Sequence, residues 1–151
     1  MPLGSPLLPA SHWAAFAHDA RSVPRARHLL RDVLDSAGVD ETTRAEIEVV
    51  LSEIVGNAVR HARPLPGDRI EVACRLLPGG AYDERHVEIS VRDGGGPTRP
   101  APRTAGETET TGRGLRIVDG LADEWGVVEE LDDLSRTVWA TFGGPRQGMP
   151  R

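Results

Sequence analysis

The spacing of apolar residues changes period partway along the chain, and this change limits the possible folds more than any other feature. From Pro24 to Ala37 the residues Ala26, Leu29, Leu30, Val33, Leu34 and Ala37 recur at helical intervals. Pro24 suits a first turn and Gly38 a C-terminal cap. Asp40 then offers an N-cap to a longer helix that runs to His61 or Ala62 and is stopped by Pro64 and Pro66. Its buried stripe should be Ile47, Val50, Leu51, Ile54 and Ala58. Beyond the prolines the period becomes two. Ile70, Val72, Cys74 and Leu76 alternate with Arg69, Glu71, Ala73 and Arg75, and after Pro78-Gly79-Gly80 the residues Val87, Ile89 and Val91 mark a returning strand. Helices followed by half-buried strands predict an α+β fold: a two-layer sandwich whose mixed, mostly antiparallel sheet is covered on one face by helices.

The rest of the chain fits that frame. Trp13 to Ala17 reads as a first strand. Residues 94–111 hold glycine, proline and threonine with almost no large apolar side chain, which predicts a long loop of the kind used as a lid. A short helix over Gly114–Ala122, a strand over Trp125–Leu131 and a last strand over Arg136–Phe142 follow. Residues 1–10 and 144–151 are rich in proline and glycine and are expected as disordered tails, leaving one domain over 11–143. A length of 151 residues suits a single core.

Charge and composition exclude several functions. The chain carries 18 Lys and Arg against 23 Asp and Glu, a net charge of −5, which argues against direct nucleic-acid binding through a basic surface. No apolar run approaches the ~20 residues that span a bilayer, so no membrane partner is expected. Pro2, Pro6 and Pro9 interrupt the few leucines of an N-terminus that lacks a basic segment, so it does not read as a signal peptide. The single cysteine, Cys74, allows no internal disulfide and suits a reducing cytoplasm. His12, His18, His28 and His86 are scattered without metal-ligand spacing. Trp125 and Trp139 are expected in the core.

Three local patterns can carry chemistry. Glu53, Asn57 and His61 stand four residues apart, each about 6 Å from the next on one helix face beside the apolar stripe. They read either as the solvated flank of an amphipathic helix or as a carboxylate base next to an amide oxygen able to hold a hard cation. Asp93 continues the register of Val87, Ile89 and Val91, so its carboxylate points at the core, unless the strand has already ended and Asp93 only opens the turn Gly94-Gly95-Gly96. Thr111-Gly112-Arg113-Gly114-Leu115 joins the long loop to a helix, where glycine allows close backbone approach and a helix N-terminus favours an anion.

Taken in order, E-x-x-x-N on a helix, D-x-G at a strand end and G-x-G-L before a helix resemble the GHKL (Bergerat-fold, HATPase) superfamily, and within it the bacterial anti-sigma factor serine/threonine kinases. The resemblance spans Trp13 to Phe142 and is most specific in Leu51–Ala62 and Gly112–Val118. It implies ATP and Mg²⁺ as cofactors. Asn57 would ligate the metal and Glu53 would take the proton of a substrate serine. Asp93 would accept from the adenine amino group, with Gly95 leaving room for the ring. Gly112, Arg113, Gly114 and Leu115 would contact the phosphates under a lid formed by residues 96–111. Thr137 would support the adenine site from the last strand, and Arg60 would offer a phosphate contact. The implied partners are a sigma factor, an anti-anti-sigma (STAS-type) protein and a second copy in a homodimer.

The chain departs from the family pattern at Pro97, which stands where the D-x-G-x-G box has its second glycine, and at Arg116, which ends the G-x-G-L-G form. Proline fixes the backbone where the lid begins. A non-catalytic regulator that acts by stoichiometric binding of its partner is therefore the alternative to a kinase. The residues also suit a free-standing histidine-kinase-like catalytic domain, although nothing ahead of Pro24 reads as a phosphoacceptor helix.

Overall fold

A computed structural model of the chain describes residues 10–77, 86–96 and 110–143. Eight elements follow one another: β1 (Ala10–Ala17), α1 (Ser22–Ser36), α2 (Glu41–His61), β2 (Arg69–Leu77), β3 (His86–Asp93), α3 (Thr110–Leu121), β4 (Glu124–Glu129) and β5 (Arg136–Phe142). The strands form one five-stranded sheet in the order β1-β2-β3-β5-β4, and each of these pairings is antiparallel. Helices cover one face, giving the α+β sandwich that the change of period predicts.

Strand alternation fixes which side chains meet the helices. Ile70, Val72 and Cys74 of β2, Val87, Ile89 and Val91 of β3, and Val138, Ala140 and Phe142 of β5 are buried. They pack against Leu30 and Leu34 of α1, Ile47, Val50, Leu51, Ile54, Val55 and Ala58 of α2, and Val118 of α3. Each fully buried aliphatic side chain contributes about 1.5–3 kcal/mol, so this interface supplies most of the driving force for folding. The opposite sheet face carries Trp13, 68% exposed, and the half-buried Trp139, whose ring lies where a Cβ on Gly126 would stand. Trp139 is thus on the outer face of the sheet, not in the core, whereas Trp125 packs partly against the core.

Local chemistry sets the element ends. Asp40 caps α2, its carboxylate accepting from the Thr43 backbone N–H at 2.9 Å. α1 begins at Ser22, two residues ahead of Pro24. The Ser22 hydroxyl donates to the Ala17 carbonyl at 2.6 Å and its amide to the Asp19 carbonyl at 3.0 Å, which tightens the chain into a helical turn early. β4 ends at Glu129, short of the expected Leu131, because a turn follows in which Leu131 is 89% exposed and Leu134 takes a φ of 59°. α3 starts at Thr110, four residues before the expected Gly114, so Gly112 and Gly114 lie inside the helix.

Ala10 belongs to β1. The rest of the two expected tails lies outside the described residues, as does the expected lid apart from Gly96 and Thr110–Thr111. No described helix is long and apolar enough to cross a membrane.

Candidate functional site

Two clusters of polar residues meet the helix–sheet cleft, one on α2 and one at the ends of β3 and β5. On α2, Glu53 is half-buried and Asn57 is 8% exposed. Neither the oxygen nor the nitrogen of the Asn57 amide has a hydrogen-bond partner among the described residues. An unsatisfied buried amide costs about 1–3 kcal/mol, and a bound ligand would recover that cost.

α3 crosses directly above this pair. A Cβ on Gly114 would stand 2.5 Å from Glu53 Oε2 and 3.9 Å from Asn57 Oδ1. The absent Cβ thus leaves the Glu53 carboxylate its place against the backbone of α3. Leu115 is fully buried, so its side chain anchors α3. Gly112 and Arg113 lie in the first turn of α3. The Arg60 guanidinium folds back along α2 over Gly56, with Nη1 2.9 Å from where a Cβ would be.

At the sheet, β3 continues through Asp93, which is 3% exposed and faces the helices. Its Oδ1 accepts the Gly95 N–H at 2.7 Å. Burial pushes the Asp93 carboxyl above the ordinary aspartate range, against the opposing pull of the Gly95 amide, Arg136 and His18. The His18 ring places Nε2 3.0 Å from the carbonyls of both Ala58 and Ala62. Both partners are acceptors, so this nitrogen carries the proton, and it ties the end of β1 to the last turn of α2.

Of the three glycines after Asp93, the first two are required by backbone neighbours and the third is closely approached. A Cβ on Gly94 would meet the Pro64 carbonyl oxygen at 2.2 Å, and one on Gly95, whose φ is +81°, would meet the Leu134 carbonyl oxygen at 2.5 Å. One on Gly96 would lie 3.3 Å from Arg136 Nη2. The room that Gly95 leaves is therefore filled by the backbone of the β4–β5 turn. Two backbone bonds, Gly94 N–H to the Arg63 carbonyl at 2.7 Å and Arg63 N–H to the Gly95 carbonyl at 2.8 Å, clip the exit of α2 to this strand end.

β5 places a different residue beside Asp93 from the one expected. Arg136 is the cross-strand partner of Asp93, is 4% exposed, and brings Nε to 3.8 Å from Asp93 Oδ1. Thr137 pairs with Arg92 and lies on the outer face, because alternation along β5 turns residues 136, 138, 140 and 142 toward the helices. Sequence reasoning missed Arg136, although the period that pointed Asp93 inward also points Arg136 inward through Val138, Ala140 and Phe142. His18 was missed as well, and only the tertiary fold brings it to α2.

The donor set suits magnesium bound together with an anionic ligand. Among the described residues no three His, Cys, Asp or Glu side chains cluster as a metal site. The Asn57 amide oxygen and the neighbouring Glu53 carboxylate are hard oxygen donors of the kind Mg²⁺ accepts, and a phosphate ligand with water would have to supply the rest.

Comparison with known proteins fits this geometry. The family model for the histidine kinase-like ATPase domain matches residues 16–142. The chain belongs to this ATPase family. Among solved structures it is similar to the RsbU and RsbW domains of Rv1364c from Mycobacterium tuberculosis, with a TM-score of 0.63 and 22% identity over 87% of this chain. It spans 32% of that longer protein, and a likeness at this identity speaks to the fold. No curated protein sequence matches significantly. Membership of the histidine kinase-like ATPase domain family implies ATP binding.

Proposed function

We propose that this histidine kinase-like ATPase domain binds Mg-ATP between α2, α3 and the sheet and transfers the γ-phosphoryl group to a serine of an anti-anti-sigma, STAS-type protein. By holding a sigma factor when that partner is phosphorylated, it would act as an anti-sigma factor. The observation that carries the nucleotide site is the buried Asn57 amide, unpartnered at both polar atoms, one turn from Glu53 and under Gly114. The assignment of partners rests on the sequence resemblance and on the likeness to a protein whose description names an RsbW domain.

Each residue has a distinct task in this reading. Asn57 Oδ1 would hold the metal, which when bound would supply positive charge to the transferring phosphoryl group. The Glu53 carboxylate takes the proton from the attacking serine hydroxyl. Asp93 accepts from the exocyclic amine of the base and so orients the nucleotide along the cleft. Gly114 keeps α3 close enough for backbone N–H groups of its first turn to meet the phosphates. Arg60 supplies positive charge on α2 beside Gly56, and Thr137 can act only from the outer face of β5.

Calorimetric titration of Mg-ATP tests the site, with Asn57→Ala and Asp93→Asn each expected to weaken binding by about tenfold or more, the worth of one hydrogen bond to a charged group. Incubation with labelled ATP and the STAS-type partner tests the transfer. Glu53→Gln should bind ATP normally and lose phosphorylation by at least about a hundredfold. Phosphorylation unchanged in Glu53→Gln would remove the proposed base. Nucleotide binding without any transfer would leave the stoichiometric regulator as the remaining reading.

A further inference from the structure

A cavity lies on the other side of the strand ends from the proposed nucleotide cleft, and what it holds does not depend on that reading. Asp93 turns toward the helices, so its neighbour Arg92 turns to the outer face of the sheet. Arg69, at the start of β2, stands on the same outer face as Glu71, the cross-strand partner of Arg92. With Arg63 from just beyond α2 and Asp133 from the β4–β5 turn, Arg69 and Arg92 line a space of about 360 Å³. That is the size of a site for a small ligand.

The charges around this cavity do not balance. Arg92 is fixed on three sides: Nε donates to Ser135 Oγ at 3.2 Å, Nη1 to Glu71 Oε1 at 3.0 Å and Nη2 to Asp133 Oδ2 at 2.7 Å. Arg69 shares Glu71, donating to its other carboxylate oxygen. The Arg63 guanidinium has no ion pair or hydrogen bond among the described residues, and the residue is exposed. Three guanidinium groups are thus met by two carboxylates, which leaves one positive charge over in a chain whose net charge is −5. Asp68, just before Arg69, is exposed and does not line the cavity.

The remaining walls are apolar. Pro64, Leu65 and Pro66 form one side and Leu134 another. Leu134 is 66% exposed and holds a φ of 59°, a region that a bulky side chain rarely enters. Backbone strain of this kind collects at ligand clamps. We propose that the cavity binds a monocarboxylate carried on a small apolar body. A carboxylate brings one negative charge and matches the excess, whereas a phosphate group brings about 1.5 to 2. The planar fork of Arg63 can take both carboxylate oxygens, while Leu134 and the prolines cover the apolar part. This chemistry belongs equally to a free aliphatic acid and to a protein C-terminus that ends in an apolar residue.

Titration of the full chain with N-acetyl-leucine, followed by amide NMR shifts, tests the site. Wild type should show saturable shifts centred on Arg63, Gly94 and Leu134. N-acetyl-leucinamide, which lacks the charge, and acetate, which lacks the apolar body, should each bind at least about tenfold more weakly. Arg63→Gln should weaken N-acetyl-leucine by about tenfold, and Arg63→Lys should restore part of that loss. Leu134→Asn suits the same backbone and should weaken N-acetyl-leucine while leaving acetate unchanged. A tripeptide ending in leucine that binds more tightly than 4-methylpentanoate assigns the site to a protein C-terminus, and the reverse order assigns it to a free acid.

The proposal is overturned if no saturable shift appears, if the amide binds as tightly as the acid, or if inorganic phosphate binds more tightly than N-acetyl-leucine. It is overturned equally if Arg63→Gln and Leu134→Asn bind as wild type does. Shifts that spread to other exposed arginines, such as Arg31 and Arg75, would show charge screening without a site and overturn it as well. Loss of this site leaves the nucleotide reading standing, and absence of ATP binding leaves this site standing.

Discussion

Asp93 ends a strand whose other inward residues are all aliphatic, and its environment makes its charge dependent on pH. Because burial raises its native pKa above that of the unfolded chain, the native state keeps this proton over a window that begins at the ordinary aspartate value, about 4, and extends upward. Stability from this group is complete below that value and is lost as pH rises through the native one. Urea unfolding of the ligand-free protein should therefore show the stability of wild type falling relative to Asp93→Asn as pH rises through this window. A difference that is flat with pH would show that Asp93 binds its proton equally in the folded and unfolded states. Gly94 offers a separate test. Its added methyl group would strike the Pro64 backbone, which cannot swing away, so Gly94→Ala should cost more than about 2 kcal/mol in the same assay. At this scale the sequence was legible wherever period alone decides direction. The count along β3 pointed Asp93 inward provided the strand reached it, with a turn residue as the alternative, and the same count along β5 would have found Arg136. The reasons for the three glycines were not legible, because they lie in carbonyl groups distant in sequence.

Among the elements, α2 was the most legible and α3 the least. Asp40, the apolar stripe and Pro64 bound α2 through local rules, and the helix runs as those rules state. Its cap is open to measurement. Asp40→Ala should destabilise the protein by about 1 kcal/mol at neutral pH. Bonding to Thr43 holds the Asp40 carboxyl below its ordinary range, so this contribution is present above the unfolded pKa and fades as pH falls through the native one. α3 starts four residues earlier than its glycines suggest, since the packing of Leu115 and Val118 outweighs the poor helix propensity of Gly112 and Gly114. The contact of α3 with Glu53 is invisible in sequence because it joins residues far apart in the chain through the tertiary fold. Gly114→Ala should leave the thermal midpoint nearly unchanged, as the Glu53 carboxylate can rotate away and alanine favours helix. Phosphorylation by the variant should fall by at least about tenfold, because the displaced group is the proposed base. A variant that loses stability and keeps activity would show that Glu53 is held there for packing alone.

Over the whole molecule, a single layer of helices rests on a single sheet, and the chain's only cysteine lies between them on β2. Burial pushes the Cys74 thiol up to about 12. A thiol that is both protonated and covered does not attack, so Cys74 should react with Ellman's reagent only through global unfolding. Labelling should slow in step with added denaturant-resistant stability, for instance when Mg-ATP binds. Rapid labelling under native conditions would show the β2–α2 interface opening locally. The fold class followed from the order of periods alone, whereas the strand order β1-β2-β3-β5-β4 did not, since alternation gives a strand its faces and not its neighbours. The clip between Arg63 and the glycines after Asp93 has a consequence at this scale. In the nucleotide reading the strand end that would hold the base is thereby tied to the exit of α2, and any widening of the cleft at that end would first have to break these two backbone bonds.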